Sequence, residues 1–191
     1  MAAAPPPVKK TYYKVPTNEA VVVERKDEYN RVLLAGRHML NPFKDRIKIY
    51  KDANKGKELM IVNFLEVHNI KVNQETVKTE EDVELVISVS LDFKVVGPAD
   101  MMYFPGMAEN FPYPAQPVVR EVLRDTVAQM SIKLFIEDTA CLDQPLLSAL
   151  NREFDRRKVG LRVETVRVLS LRAVGEGSDR VNEYLTDKWP K

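Results

Sequence analysis

The chain is short of several residue types, and each shortage closes off a class of function. Cysteine occurs once, at Cys141. A disulfide framework within the chain is therefore impossible, and a reducing compartment is the default. A catalytic thiol needs an adjacent base, and the two histidines, His38 and His68, lie far away in strand-like sequence. Cys141 reads instead as a small buried or half-buried side chain. Both histidines read as structural, since neither has a companion at ligand spacing. Glycine is scarce, with 7 in 191 residues, which argues against a glycine-rich phosphate loop. Gly175-Glu176-Gly177 has no strand–helix unit around it and reads as linker. No apolar run approaches the roughly 18 residues of a membrane-spanning helix. The net charge of +1 supplies no global field to draw nucleic acid or an anionic bilayer. Met1–Lys10 has neither the apolar core of a secretory signal nor arginines for a mitochondrial presequence, and Ala2 excludes the glycine needed for myristoylation. Metalloprotease, Walker and nucleophile-elbow motifs are missing too.

What is present is an ordinary globular composition, 45% hydrophobic and 30% charged. Residues 1–12, with Pro5, Pro6 and Pro7, read as a flexible extended arm. From Val15 the pattern is β. Ala20–Arg25 holds the run Val21, Val22, Val23; Asp27–Asn30 reads as a turn and Arg31–Leu34 as the next strand. Gly36 and Asn41-Pro42-Phe43 break the pattern, and Arg46–Lys51 reads as a short strand. Leu59–Val72 is strand-rich, but its phase slips and predicts a bulge or bend. Val83–Val95 alternates strictly, with Leu85, Ile87, Val89, Leu91 and Phe93 on one side, which predicts a strand with one face on a core.

After Gly97-Pro98 the character changes. Val118–Phe135 shows helical spacing. A second helix follows, with Asp143 as candidate N-cap, Leu146, Leu147, Leu150 and Phe154 in its stripe, and Gly160 as its stop. Leu161–Leu171 reads as a final strand whose apolar residues fall in two phases, and Ser178–Trp189 as a short amphipathic helix. Strands followed by helices predict an α+β domain: a largely antiparallel sheet, two helices on one face and a returning C-terminal strand.

Two stretches carry more apolar surface than loops should. One is Ala99–Pro117, with Met101, Met102, Tyr103, Phe104, Met107, Phe111 and Tyr113. Its prolines preclude one regular helix, so it is either an irregular lid over the sheet or a docking surface. The other is the tail stripe around Tyr184, Leu185 and Trp189, too short to fold alone, which packs on its own domain or on another chain. The acidic cluster Glu80, Glu81, Asp82, Glu84 reads as a solvated turn before it reads as a metal site. Arg152, Arg156, Arg157 and Lys158 read as a wet helix face before they read as a site for lipid phosphates or acidic partners.

Several segments in order resemble one family. They are Val15-Pro16-Thr17-Asn18-Glu19-Ala20-Val21-Val22-Val23 with Arg25, then Gly36-Arg37-His38-Met39-Leu40-Asn41-Pro42-Phe43, then Val77–Val83 with the alternating strand to Val95 and Gly97-Pro98. Leu123-Arg124-Asp125 and Val159–Val168 complete the set. From about Val15 to Leu171 the chain resembles the SPFH, or band 7, domain of stomatins, prohibitins and flotillins. The resemblance implies an arm at 1–12, a domain at 13–174 and a tail at 175–191. It implies a non-catalytic scaffold or accessory subunit, working through protein–protein contacts with other subunits or copies, with possible peripheral membrane contact on a cytoplasmic or mitochondrial side. No cofactor, nucleic acid or small-molecule substrate is expected. Family members usually add an N-terminal membrane segment and a long C-terminal coiled coil; neither is encoded in these residues, so the expectation is a subunit held by its neighbours. The ten proposed contact residues are the apolar and aromatic side chains named above in 99–117 and the tail. The alternative is a soluble peptide-binding adaptor with no membrane link. An unfamiliar enzyme would instead need a deep polar pocket with clustered ionisable groups.

Overall fold

A computed structural model describes residues 11–138, 140–175 and 178–186. Two regions of unequal weight meet along one strand. The first is all β. Strand β1 (Thr11–Val15) pairs with β4 (Gly36–Leu40). Strand β2 (Glu19–Arg25) has β3 (Glu28–Leu33) on one side, β5 (Asp45–Ile47) on the other, and the short β8 (Val62–Asn63) at its start. Strands β6 (Tyr50–Asp52) and β7 (Lys57–Leu59) form a separate hairpin. The turn between β2 and β3 is Lys26-Asp27, both with positive φ, so β3 begins earlier than the expected Arg31. Thr11 and Tyr12 already pair with Leu40 and Met39, so the strand starts inside the stretch expected to be an arm.

The second region is a three-stranded sheet in the order β11-β10-β9, with β9 His68–Lys78, β10 Glu84–Val95 and β11 Leu161–Val174. All its ladders are antiparallel. Helices α1 (Pro98–Tyr103), α2 (Met107–Asn110), α3 (Gln116–Val127), α4 (Ile132–Glu137), α5 (Asp143–Arg156) and α6 (Ser178–Thr186) pack with it. The alternation in β10 becomes burial: Leu85, Ile87, Val89, Leu91 and Phe93 are all 1% exposed or less. Each such side chain contributes about 1.5–3 kcal/mol. The two phases of β11 also have a cause. Its register against β10 shifts twice, so Val163, Val166 and Leu171 all face the core although they are not in step.

Strand β2 is the seam. Val22 belongs to the large core under the helices, while Val21 and Val23 belong to a small second core with Val15, Leu33 and Leu40. A valine run buried on both faces is what such a position requires. At the other end, the Val96 and Gly97 amides both donate to the Gly160 carbonyl, at 3.0 and 3.1 Å. Gly160 has φ +77°, and a Cβ there would stand 2.3 Å from the Gly97 oxygen. Only glycine permits this approach, which brings the start of α1 against the start of β11.

Three expected elements differ. The helix expected over Val118–Phe135 is broken, because Ser131 caps α4 through the Lys133 amide and the Glu81 carboxylate accepts from the Ile132 amide. The acidic turn thus anchors a helix start. Asp143 is the first residue of α5, whose cap position is Leu142, with no side-chain capping bond. The second half of β9, Asn73–Lys78, was not expected as strand. Its polar residues surround a bulge where Gln74 has φ 51° and donates to Ser88 Oγ at 3.0 Å. The bulge turns Glu75 inward beneath α3, where Arg120 donates to it at 2.5 Å and Arg124 also bonds to it.

Candidate functional site

The ten expected contact residues separate into inside and outside. Met101, Met102, Met107, Phe111 and Leu185 are buried within the single chain, and Phe104 is half-buried against the same core. These side chains of 99–117 pack inward as a lid over the sheet, while Tyr103 and Tyr113 of the same segment stay exposed. Its anchor is Phe111, whose amide donates to Lys51 at 3.0 Å while its carbonyl accepts from Ala53 at 2.7 Å. The Phe111 ring meets Tyr50, His68 and Phe93 edge-on, with centroids 4.8–6.2 Å apart. That makes His68 structural; burial pushes its imidazole below the ordinary histidine range, so it sits neutral.

Tyr103, Tyr113 and Tyr184 are exposed. Tyr103 is nevertheless engaged. Its hydroxyl donates to Glu24 Oε1 at 2.7 Å, its ring meets Tyr29 edge-on at 5.9 Å, and Lys48 Nζ lies 4.9 Å over it. Burial alone would raise the Glu24 carboxyl, but the Tyr103 and Lys48 bonds outweigh it and hold the group below the usual carboxylate range. Tyr103 therefore stitches α1 to the β2–β3 hairpin. The Tyr113 hydroxyl reaches Asn54 Oδ1 at 3.4 Å. Tyr184 lies on the outer side of α6, while Leu185 points inward. Trp189 lies outside the described residues.

Among the described residues, more of the exposed large apolar side chains lie in the β region than in the sheet region. Phe43 is 84% exposed, Tyr12 69%, Leu65 59% and Met39 51%. Tyr12 and Met39 are a direct cross-strand pair, and the next pair on that face, Lys14 with Arg37, is exposed and cationic. Phe43 follows at the end of the ribbon, in a turn that is held firmly. The Asn41 side chain accepts from the Phe43 amide at 3.0 Å, and Asn41 O accepts from both Lys44 and Asp45. Asp45 closes the turn by accepting from the Asn41 amide at 2.9 Å and from Arg25 at 2.7 Å. The Asn41 bond first, then Arg25, holds the Asp45 carboxyl below its usual range. A ring displayed by an ordered turn is different from one on a loose loop: little ordering entropy remains to be lost on contact.

Sequence reasoning passed over Phe43, Tyr12 and Met39. The signal was there: a large aromatic after Asn-Pro in a turn has no periodic partners to bury it. Among the described residues, no group of three or more His, Cys, Asp or Glu side chains comes together to hold a metal ion, and no helix is long and apolar enough to cross a membrane. Cys141 is half-buried, and burial with the nearby Asp138 pushes its thiol up to about 11, far from a reactive thiolate.

Compared with known proteins, residues 13–176 match the family model described as SPFH domain / Band 7 family. No curated protein matches the chain.

Proposed function

Because the chain belongs to the SPFH domain / Band 7 family, we propose that it is a non-catalytic scaffold subunit of a larger membrane-associated assembly, touching the membrane with the Phe43 turn and the outer face of the β1–β4 ribbon. The family is generally one of membrane-associated, non-catalytic scaffolds that typically form oligomers. The observation that carries the finer reading is the Phe43 ring, held out at 84% exposure by an ordered turn. Along the ribbon that leads to it stand the exposed pairs Tyr12–Met39 and Lys14–Arg37, with Lys44 next in the turn, a mixture of aromatic, apolar and cationic groups suited to a headgroup interface. Seating one large apolar side chain gives about 1.5–3 kcal/mol. Each cation near an anionic surface adds about 1 kcal/mol, which salt removes. Such weak attachment suits a subunit that neighbours also hold in place.

Flotation of the full chain with vesicles containing phosphatidylserine tests this. The protein rises with the vesicles at low salt, and Phe43→Ser with Lys14→Ser and Arg37→Ser stays at the bottom. A wild-type chain that never rises, and that also stays monomeric, is an adaptor without a membrane link and overturns the reading.

A further inference from the structure

The outer surface of the helical layer holds a groove of about 500 Å³ between α3 and α5. One wall is acidic, with Glu121 and Asp125 a turn apart on α3; the other is net basic, with Arg152 and Arg156 a turn apart on α5 and Glu153 between them. The floor includes Val122, Pro145 and Ala149, without large side chains to keep another helix away. Like charges four residues apart on a helix repel each other. One member of each row is neutralised within the chain: Glu121 by Arg157, and Arg156 by Glu153. The side chains of the others, Asp125 and Arg152, both exposed, make no hydrogen bond or ion pair among the described residues. The groove thus carries one unpaired charge of each sign.

That pattern is its own complement. Two copies facing each other across a twofold axis place the acidic wall of each against the basic wall of the other, as a symmetric interface demands. We propose that the α3–α5 groove is a self-docking surface for a second copy of this chain, with Asp125 of each copy opposite Arg152 of the other. The proposal rests on the scaffold reading and names the surface through which copies meet. A groove with walls of one sign would ask for a different partner; this one does not.

The test is sedimentation velocity on the full chain and on charge-reversed variants. Asp125→Arg alone and Arg152→Glu alone each weaken self-association at least tenfold, since like charges then face each other. Mixed in equal amounts, the two variants associate again, because every pair across the axis becomes opposite in sign; that rescue also shows that both are folded. Singles that associate like the wild type, or a mixture that does not recover, overturn the groove while leaving the scaffold reading intact. A wild-type chain that stays monomeric at its highest soluble concentration also overturns the groove. The scaffold reading falls with it only if that chain fails to float with vesicles as well.

Discussion

The β region and the sheet-with-helices region use their apolar residues in opposite ways. The sheet region folds most of a methionine- and aromatic-rich lid onto itself, and among the described residues it leaves Val96, Tyr103, Tyr113, Leu134, Leu169 and Tyr184 exposed, none beyond about two-thirds. The β region encloses a core of Val15, Val21, Val23, Leu33 and Leu40 and leaves Tyr12, Leu34, Met39, Phe43 and Leu65 uncovered. A region that keeps its apolar groups inside is built for stability; one that sets them out on ordered turns is built for contact. On the proposed reading, contact falls to the half that displays Phe43, and apolar composition alone does not single it out.

The largest effect should come from the large core. Phe93→Ala removes a ring packed against His68 and Phe111, and about 3–5 kcal/mol should go with it, read from the urea midpoint. Leu33→Ala in the small core should lose nearer 2 kcal/mol, the low end for such a truncation, because so few neighbours line the site. Equal losses would break the comparison. Arg120→Ala together with Arg124→Ala leaves the buried Glu75 carboxylate without its donors. About 2 kcal/mol should be lost, a moderate figure because both arginines are substantially exposed. A neutral result would mean that α3 is held by its apolar stripe alone.

The pH response should also belong to the sheet region. Burial lowers the His68 pKa in the folded chain, so the unfolded chain binds the proton first as pH falls. Stability is then full above the ordinary histidine value, about 6.5, and declines below it with a slope of no more than about 1.4 kcal/mol per pH unit. His68→Gln should flatten that part of the curve, measured by urea unfolding between neutral pH and mild acid. The smallest effect is the sharpest contrast. Phe43→Ser should change stability by less than about 0.5 kcal/mol, yet weaken vesicle binding. A large loss of stability would place Phe43 among the packing residues after all.

The regular parts of the fold were legible because burial there follows a period. The alternation from Leu85 to Phe93 announced β10, and the out-of-step phases of β11 came from two register shifts. Asn73–Lys78 was not legible, since a bulge reverses which side chains face inward and Glu75 is buried only because two arginines meet it. The split between α3 and α4 has one local mark, the cap residue Ser131, but its second support, Glu81, is distant in sequence. The lid was recognised as unusual, but composition does not say whether Met101 or Phe111 faces in or out; that depends on Tyr50 and His68 offering Phe111 a seat. The Asn41-Pro42-Phe43 turn was seen as a break rather than as a display.

Deuterium exchange on the full chain, free and bound to anionic vesicles, tests the central claim most directly. Protection should appear at residues 11–14 and 37–44 and be absent from 98–117, whose amides are already closed in the free chain. Protection confined to 98–117, with the Phe43 turn unchanged, would contradict the account.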